Sequence, residues 1–403
     1  MSHEVVASLL SSLSLQADGA ESNLGSHCPY DFIIALDLEA TCDENHADPT
    51  LVKVPKDGGE IIELSYAVVS VPERRIVHQK QCFVKPVETI VTPFCTQLTG
   101  ITEDTVANAD TLRAAVEDLV SFIQTHPQST FCLMAHGEWD LRYQLPRECR
   151  EKGIALPAQF SVFFDAIREV NRVLSLSSGV QRQVGNTSLT GLCKQLGIQH
   201  EGRVHSGLDD ALTVAKIAIA VLQRVEAWFA EKGSDAAIPA GLDLPMSTPV
   251  DLAQEIEDFA VSRARVLKLL GIPYKVTDVQ VKAFVQGAGV EPEEIYVVKN
   301  AEGRSDGWGL IVFRSHEDAM KALSLNGRVL ADRTVQVSPG SDQDLADTAA
   351  TRGAFMTETE LSQITQQQVM KPGDWLCPIC QFHNFASRRN CSKCNIQNPN
   401  PTP

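Results

Sequence analysis

The stretch Phe32-Ile-Ile-Ala-Leu-Asp-Leu-Glu-Ala-Thr41 joins a run of apolar residues to two carboxylates. Such a short apolar run, interrupted by acidic side chains near its end, predicts a buried strand in a helix-covered sheet. Because side chains two positions apart share one face of a strand, Asp37 and Glu39 are expected to point together near its carboxyl end. Open α/β sheets bind ligands at that edge, so the same stretch indicates both a fold and a site.

From residue 30 to about residue 230, strand patterns alternate with helix patterns. Further strands are predicted at Glu60–Val71, Arg75–Val84 and Thr130–His136. Helices are predicted at Leu112–Ile123, Asp140–Lys152, Phe164–Val173, Ser188–Leu196 and Leu208–Phe229. This alternation predicts an α/β domain with a mixed sheet and helices packed against it.

Three more polar residues stand at the boundaries of predicted elements. Asp140 follows a buried strand, whereas His205 and Asp210 lie where a loop enters the long helix. Converging carboxylates repel one another unless a cation or a proton neutralises them, and carboxylate oxygens select Mg²⁺ or Mn²⁺. Four carboxylates can hold two such ions about 4 Å apart around a phosphate, while a histidine takes a proton from water. Spacing favours Asp210 over Asp209 as the last metal ligand. Asp209 can instead cap or solvate the helix N-terminus.

The order Asp-x-Glu, Asp, His-x4-Asp resembles that of the DEDDh exonucleases, which have an RNase-H-like fold. Five strings resemble the Eri (enhanced-RNAi) group more closely: Asp37–Cys42, Glu60–Leu64, Phe94–Thr102, Gly137–Asp140 and Gly202–Asp210. That group includes the 3′-exonuclease that acts on histone mRNA stem-loops and on the 3′ end of 5.8S ribosomal RNA. The resemblance covers about residues 30–225, and the segment Thr41–Gly59 is longer than the family pattern.

The resemblance implies a role for each matching residue. His205 would be the general base, and Phe94 and Trp139 would stack on the terminal nucleotide, although such rings also pack in cores. Arg142, Arg147 and Arg203 are further candidates for phosphate contacts or for a solvated surface. The ligands implied for two Mg²⁺ or Mn²⁺ ions are Asp37, Glu39, Asp140 and Asp210.

A second compact unit is predicted over residues 263–340, with the βαββαβ order of a ferredoxin-like domain. It resembles an RNA-recognition motif with an altered sheet face, because Lys268 and Leu310 stand where stacking aromatics are usual and Trp308 remains. Gly271–Tyr274 is similar to the quasi-type motifs, which bind RNA through loops. A motif altered in this way also suits protein binding or packing alone.

Four cysteines near the end of the chain form two Cys-x2-Cys pairs that are separated by ten residues: Cys377, Cys380, Cys391 and Cys394. This spacing suits one tetrahedral zinc ion, and so short a segment needs such a metal in order to fold. The string resembles the Ran-binding-protein type of zinc finger, whose members bind single-stranded RNA or ubiquitin. A local excess of basic residues favours RNA. The implied RNA contacts are Asn384, Phe385, Arg388 and Arg389.

Composition limits the class of protein further. The chain has 403 residues, 43% of them hydrophobic, and a formal net charge of -16, which disfavours indiscriminate nucleic-acid binding. The chain has no stretch of about 20 apolar residues, so the sequence predicts no membrane span. Eleven cysteines without a secretion signal favour the cytoplasm, the nucleus or both over secretion.

The predicted order of domains along the chain is a disordered tail (1–29), the exonuclease domain (30–230), a linker (231–262), the RNA-recognition-like domain (263–340), a linker (341–370) and the finger (371–403).

Together these patterns favour a metal-dependent 3′-to-5′ exoribonuclease that trims or degrades RNA 3′ ends by two-metal-ion hydrolysis. Ribosomal RNA, histone mRNA and small RNAs remain alternative substrates. A non-catalytic RNA-binding adaptor on the same fold and a DEDDh DNA exonuclease are the competing hypotheses. The expected partners are RNA 3′ ends, ribosomes or other ribonucleoproteins, and a protein contacted through the second domain, but no membrane.

Overall fold

The computed structural model describes residues 27–43, 52–54, 58–273, 276–299, 305–331 and 333–342, and the positions 344, 345, 348, 375, 376, 383, 384 and 397. Most of the predicted tail (1–29) and most of the segment 341–370 lie outside these residues. Within the described residues, no helix is both long enough and apolar enough to cross a membrane.

A six-stranded mixed sheet forms the centre of the first domain. Its strands are β1 (Phe32–Ala40), β2 (Ile61–Ser70), β3 (Arg75–Phe83), β4 (Phe131–Ala135), β5 (Val162–Asp165) and β6 (Val250–Asp251). Across the sheet the order is β3-β2-β1-β4-β5-β6, with β1, β4 and β5 parallel and the other pairs antiparallel. The predicted mixed sheet is confirmed. Because β1 and β4 are parallel, their carboxyl ends meet at one edge, where the first site residues lie.

Helices cover both faces of this sheet. They are α1 (Pro93–Thr99), α2 (Glu103–Ala107), α3 (Leu112–Gln124), α4 (Leu145–Glu151), α5 (Ala166–Ser178), α6 (Leu189–Leu196) and α7 (Gly207–Lys232). Alternate residues of β1 divide between two cores: Ile33 and Ala35 pack with α5, α6 and α7, whereas Ile34 and Leu36 pack with α3 and α4. The strand is therefore buried on both sides, as its apolar run predicts.

The prediction of a helix from Phe164 is corrected in part. Residues Val162–Asp165 form β5, because their backbone pairs with β4 before the chain turns into α5. The Asp165 side chain accepts a hydrogen bond from the Ile167 backbone at 2.9 Å and so begins the helix. Tertiary pairing thus decides the first residues of a segment whose local pattern also suits a helix.

The segment 231–262, predicted as a linker, contains folded structure. Val250–Asp251 adds β6 to the edge of the sheet, and α8 (Leu252–Ser262) follows it. The Asp251 side chain caps α8 by accepting from two of its backbone N–H groups at 3.0 Å. Phe259 of α8 is only 3% exposed and packs in the core of the second domain. The two-residue edge strand gives little periodic signal, whereas α8 does have apolar residues at helical spacing, Leu252, Ile256 and Phe259, which the linker prediction missed.

The second domain has the predicted ferredoxin-like order, with one additional short strand. Its elements are β7 (Val266–Leu270), α9 (Asp278–Gln286), β8 (Pro292–Lys299), β9 (Ser305–Phe313), α10 (His316–Ala322), β10 (Arg328–Leu330) and β11 (Arg333–Pro339). All the strands pair antiparallel in the order β10-β11-β7-β9-β8. Alternate strand residues such as Leu267 and Phe313 fill the core beneath α9 and α10.

Two short strands are described near the end of the chain. β12 (Trp375–Leu376) pairs antiparallel with β13 (His383–Asn384), and Trp375 is buried. The residues predicted to bind zinc lie outside the described residues: Cys377, Cys380, Cys391 and Cys394. The same holds for Phe385, Arg388 and Arg389, so the zinc finger remains a prediction.

Candidate active site

Four carboxylates meet where β1 and β4 end. Glu39 and Asp210 are 8% and 6% exposed. Burial raises the pKa of Asp37 well above its usual range, and the neighbouring charges of Asp140, Glu39, Asp210 and Glu63 raise it further. The four carboxylates singled out in the sequence therefore lie close enough for their charges to interact, together with a fifth, Glu63.

Two other members of the group also have raised pKa values. Burial raises the pKa of Glu39 to about 8, assisted by the charges of Glu63, Asp210 and Asp140. Burial also raises the pKa of Asp140 to about 7, against a hydrogen bond from the Leu38 backbone that lowers it. In the absence of a cation, the pocket therefore holds protons at neutral pH.

The donor set suits a divalent cation. Glu39, His205 and Asp210 each offer one ligand atom, and these three atoms lie within 4.8 Å of one another. Buried carboxylates that repel one another gain the most from an ion, since it replaces the protons that they would otherwise hold. A site rich in carboxylate oxygens fits Mg²⁺ or Mn²⁺.

The loop before α7 places His205 at the rim of this pocket. His205 is exposed and has a φ of 60°, a conformation that costs about 1–3 kcal/mol for residues other than glycine. Its backbone N–H donates to Asp210 Oδ2 at 2.9 Å, which stabilises the turn. On the other side of the same carboxylate, His200 Nε2 lies 3.3 Å from Asp210 Oδ1. Two contacts therefore orient Asp210.

Asp209 has a different role from its neighbour Asp210. Asp209 Oδ2 accepts a hydrogen bond from the Arg203 backbone at 2.9 Å. Its carboxyl group stands against Gly202, where a Cβ would approach the carboxyl carbon to 2.3 Å. Asp209 thus stabilises the loop that carries His205, whereas Asp210 is the one that enters the pocket.

Helix α1 carries Phe94, which is half-buried, and is attached to the end of β1. The Thr92 hydroxyl donates to the Cys42 carbonyl at 2.6 Å, and the Cys95 thiol to the Ala40 carbonyl at 3.6 Å. The thiol of Cys95 is near enough to Glu39 to raise its pKa. Phe94 therefore lies on a helix beside the pocket, and its contact with a nucleotide remains a prediction.

Trp139 directly precedes Asp140 and is one of the exposed large apolar side chains, with 39% of its surface accessible. Its ring centroid lies 4.6 Å from that of Tyr143. The residues Asp140–Gln144 form a wide π-helical turn that leads into α4. Such turns are frequent at functional sites, and this one leaves the indole accessible to a ligand beside Asp140.

The three arginines considered for phosphate contacts are engaged within the protein. Arg142 pairs with Glu255 of α8, with an Nη1–Oε2 distance of 2.8 Å. Arg147 donates to the Gly59 carbonyl at 2.6 Å, and Arg203 donates to two carbonyls at the end of α1 at 2.8 and 2.9 Å. These guanidinium groups hold the loops and helices around the pocket together.

Glu63 on β2 is a site residue that sequence reasoning missed. It is 1% exposed and lies opposite Glu39 in the β1–β2 ladder. Glu63 Oε1 accepts a hydrogen bond from the Leu208 backbone at 3.0 Å, in the first turn of α7. A Cβ on Gly207 would lie 2.7 Å from the same oxygen, so a side chain at this position would displace the Glu63 carboxylate. Glu63 therefore positions the helix that presents Asp210.

A signal for Glu63 was present in the sequence. The residue stands in the Glu60–Leu64 string, one of the five strings that resemble the Eri group. Pairing β1 with β2 places this carboxylate across from Glu39, but the register of that pairing follows from the folded sheet.

Comparisons with known proteins agree with the geometry. Residues 34–218 match the family model described as exonuclease, and residues 268–336 match the model described as RNA recognition motif. The chain is 31% identical over 198 residues to 3′-5′ exoribonuclease 1 of Mus musculus, a match that covers 48% of this chain and 54% of that protein.

Two further matches have different coverage. An RNA-binding protein of Schizosaccharomyces pombe, dri1, described as involved in heterochromatin assembly, is 25% identical over 378 residues, or 88% of this chain and 58% of that protein. The solved nuclease domain of 3′hExo, a DEDDh family member bound to rAMP, is 27% identical; the match covers 50% of this chain and 94% of that one, with a TM-score of 0.41. The chain thus spans 54–58% of the length of the two curated relatives.

The chain therefore contains an exonuclease domain that is similar to 3′-5′ exoribonuclease 1, together with an RNA recognition motif. The donor set of the pocket suits the divalent metal ions that phosphodiester hydrolysis by an exonuclease commonly uses.

We expect the metal-free protein to lose stability as the pH rises from about 5 to about 8. Because the pKa values of Glu39 and Asp140 are raised to about 8 and about 7, the native state binds more protons than the unfolded chain in this range. The free energy of unfolding must then fall as these protons leave. Thermal unfolding of EDTA-treated protein across this range measures the effect.

Adding Mn²⁺ should raise the Tm more at the upper end of this range than at the lower end, because the ion binds ionised carboxylates. Glu39→Gln should reduce both the pH dependence and the effect of the ion. Glu103→Gln, at an exposed position on α2, is the matched control. A metal-free protein whose Tm does not fall with pH would contradict the proposed repulsion.

Glu63→Ala should weaken Mn²⁺ binding by about 10- to 100-fold, as is typical when a residue that orients metal ligands is lost. The change leaves the Leu208 N–H without its acceptor and loosens the turn that presents Asp210. Isothermal titration calorimetry measures the affinity. Glu63→Gln, which keeps an acceptor oxygen, should lose less, whereas wild-type affinity in Glu63→Ala would refute the positioning role.

Proposed function

We propose that this protein is a metal-dependent 3′-to-5′ exoribonuclease that trims or degrades RNA 3′ ends. One observation carries the proposal: the ligand atoms of Glu39, His205 and Asp210 lie within 4.8 Å of one another. Asp140, Glu39 and Asp210 are also near enough to Asp37 for their charges to raise its pKa. The domain that contains this pocket is homologous to 3′–5′ exoribonucleases.

The chemistry follows from the positions of these side chains. The four carboxylates would hold two Mg²⁺ or Mn²⁺ ions, which supply charge neutralisation at the scissile phosphate and activation of water. His205 is exposed beside Glu39 and Asp210, so its imidazole can accept the proton of the attacking water. As the water oxygen bonds to phosphorus, the bond to the 3′ oxygen of the preceding nucleotide breaks.

Aromatic side chains would hold the terminal nucleotide. Trp139 is accessible and directly precedes Asp140, whereas Phe94 lies half-buried on the helix attached to the end of β1. Stacking on such rings tolerates any base, since every base has a π-face. An exonuclease that removes successive nucleotides requires this tolerance.

The other modules would retain the RNA. The RNA recognition motif and a zinc finger at residues 371–403 are the proposed binding units, with one structural zinc held by Cys377, Cys380, Cys391 and Cys394. Cys377 and Cys380 lie in the sequence between the paired strands β12 and β13, as the finger proposal requires. The contacts proposed for the finger are Asn384, Phe385, Arg388 and Arg389. Ribonucleoproteins in the cytoplasm or the nucleus would supply the 3′ ends.

A non-catalytic RNA-binding adaptor is the second candidate. A specific observation favours it, since the relative that matches 88% of this chain is described as an RNA-binding protein involved in heterochromatin assembly. The full set of converging carboxylates supports the enzyme instead, because a binding adaptor has no need of them.

The purified protein should shorten a 5′-labelled single-stranded RNA from its 3′ end when Mg²⁺ or Mn²⁺ is present. Asp37→Asn should abolish shortening because it removes one of the proposed carboxylate ligands. His205→Asn should lower kcat by about 100-fold or more, the usual contribution of a general base. Gel analysis of timed samples measures both effects.

His126→Asn is the control for His205→Asn, since the His126 ring contacts Thr125 and the Phe122 carbonyl rather than the carboxylates. An Asp37→Asn protein as active as the wild type would exclude this site. A wild type that binds RNA without cleaving it would favour the adaptor, and preference for a DNA strand of the same sequence would favour a DNA exonuclease.

Deleting residues 371–403 should weaken binding of long RNA more than it slows the cleavage of short oligonucleotides, because the finger would act by retaining RNA. Cys391→Ser with Cys394→Ser in the full chain should reproduce the loss by removing two zinc ligands. Fluorescence anisotropy measures the affinity. Unchanged affinity in both variants would indicate that this segment does not bind RNA.

A further inference from the structure

The residues that follow β11 lie over the outer face of the second domain's sheet. The described ones, which we call the covering segment, are Ser341, Asp342, Asp344, Leu345 and Thr348. The Leu345 N–H donates to the Ser341 carbonyl at 3.3 Å, and the Thr348 hydroxyl donates to the Asp344 carbonyl at 2.6 Å. These contacts, four residues apart, are those of a helical turn. The prediction of a linker from residue 341 is therefore corrected at its start.

Burial shows what this segment covers. Val266, Leu310 and Val312 point away from α9 and α10, because the residues between them on each strand fill the core. In a two-layer domain this outer face would contact water, yet the three side chains are 1%, 1% and 8% exposed. They pack with Leu345, Tyr296 and Trp308. The chain thus occupies the face of the sheet that RNA recognition motifs use for stacking bases.

An ion pair fixes the covering segment on the sheet. Lys268 Nζ of β7 lies 2.9 Å from Asp344 Oδ1. The other oxygen of Asp344 accepts from the backbone and the hydroxyl of Ser341, at 2.8 and 2.7 Å. Asp344 therefore links the start of the covering segment to the middle of the sheet.

Both attachments use positions where this motif departs from the stacking pattern. Lys268 stands where an aromatic is usual and pairs with Asp344. Leu310 stands at the other such position and packs in the same cluster as Leu345. The two departures thus form the binding site of the covering segment.

One polar group is left unsatisfied when the face is covered. Gln336 of β11 is 3% exposed, and its Nε2 finds no hydrogen-bond partner among the described residues. Its neighbours Val335 and Val337 face the core, so Gln336 faces the covered side. A buried amide without a partner is unfavourable, and the edge of a nucleic-acid base carries acceptors that would satisfy it.

We propose that the covering segment and single-stranded RNA compete for this outer face, so that the motif is closed in the free protein and opens when RNA displaces Leu345 and Asp344. The opened face would offer two rings for stacking, a cation for phosphate and an amide for a base edge. These groups are Trp308, Tyr296, Lys268 and Gln336. The proposal concerns binding by the second domain and holds whether or not the first domain cleaves RNA.

The test compares RNA affinities of the full chain carrying Asp37→Asn, so that the probe stays intact. Leu345→Ser should bind a short single-stranded oligoribonucleotide about tenfold more tightly, because a larger fraction of the protein is open. Asp344→Asn should gain about threefold, as expected for a partly exposed ion pair. Fluorescence anisotropy measures both affinities. Trp308→Ala, added to Leu345→Ser, should remove the gain and so assign it to this face.

Two matched controls accompany these variants. Asp342→Asn makes the same charge change two residues from Asp344, and Val279→Ser makes a similar apolar-to-polar change at an exposed position of α9. Neither control should increase affinity. If Leu345→Ser unfolds with a Tm close to that of its parent, an RNA affinity no higher than that of Val279→Ser would overturn the proposal.

Hydrogen exchange in the protein that carries only Asp37→Asn tests the proposed competition even if Leu345→Ser unfolds the domain. Adding the oligoribonucleotide should increase exchange across residues 341–348, because RNA displaces the covering segment. Exchange that stays the same or decreases at saturating RNA would overturn the competition.

Discussion

Repulsion among buried carboxylates is the constraint on which the first domain depends. Asp37, Glu39, Glu63, Asp140 and Asp210 come from four separate parts of the fold, and the charges of the other four raise the pKa of Asp37. Only a rigid frame can keep such groups together, because each one would be more favourably placed in water. The sheet provides this frame, since β1 is buried on both faces and paired on both edges.

Charged side chains around the pocket hold parts of the chain in place through hydrogen bonds to the backbone. Glu63 binds the first turn of α7, Arg203 binds the end of α1, and Asp209 stabilises the loop that carries His205. Most polar groups near the cluster are therefore engaged with the backbone. This arrangement leaves the carboxylates and His205 as the groups available to ions and substrate.

The connection between the domains is built in the same way. α8 begins beside the edge strand of the first sheet, pairs with Arg142 through Glu255, and places Phe259 in the core of the second domain. Arg142 lies in the turn that begins with Asp140. A helix in the segment predicted as a linker thus joins the RNA recognition motif to the element that carries a site carboxylate.

The sequence by itself determined the chemistry of the pocket and the two-domain fold, because these depend on local patterns. Strand alternation indicates that Asp37 and Glu39 act together, and the spacing of His205 and Asp210 places both at one helix start. Only the tertiary structure decided the role of Glu63, whose contact with Leu208 spans 145 residues, and that of Arg142, whose contact with Glu255 spans 113. It also decided that Lys268 holds Asp344, since no periodicity encodes which surface a polar segment will cover.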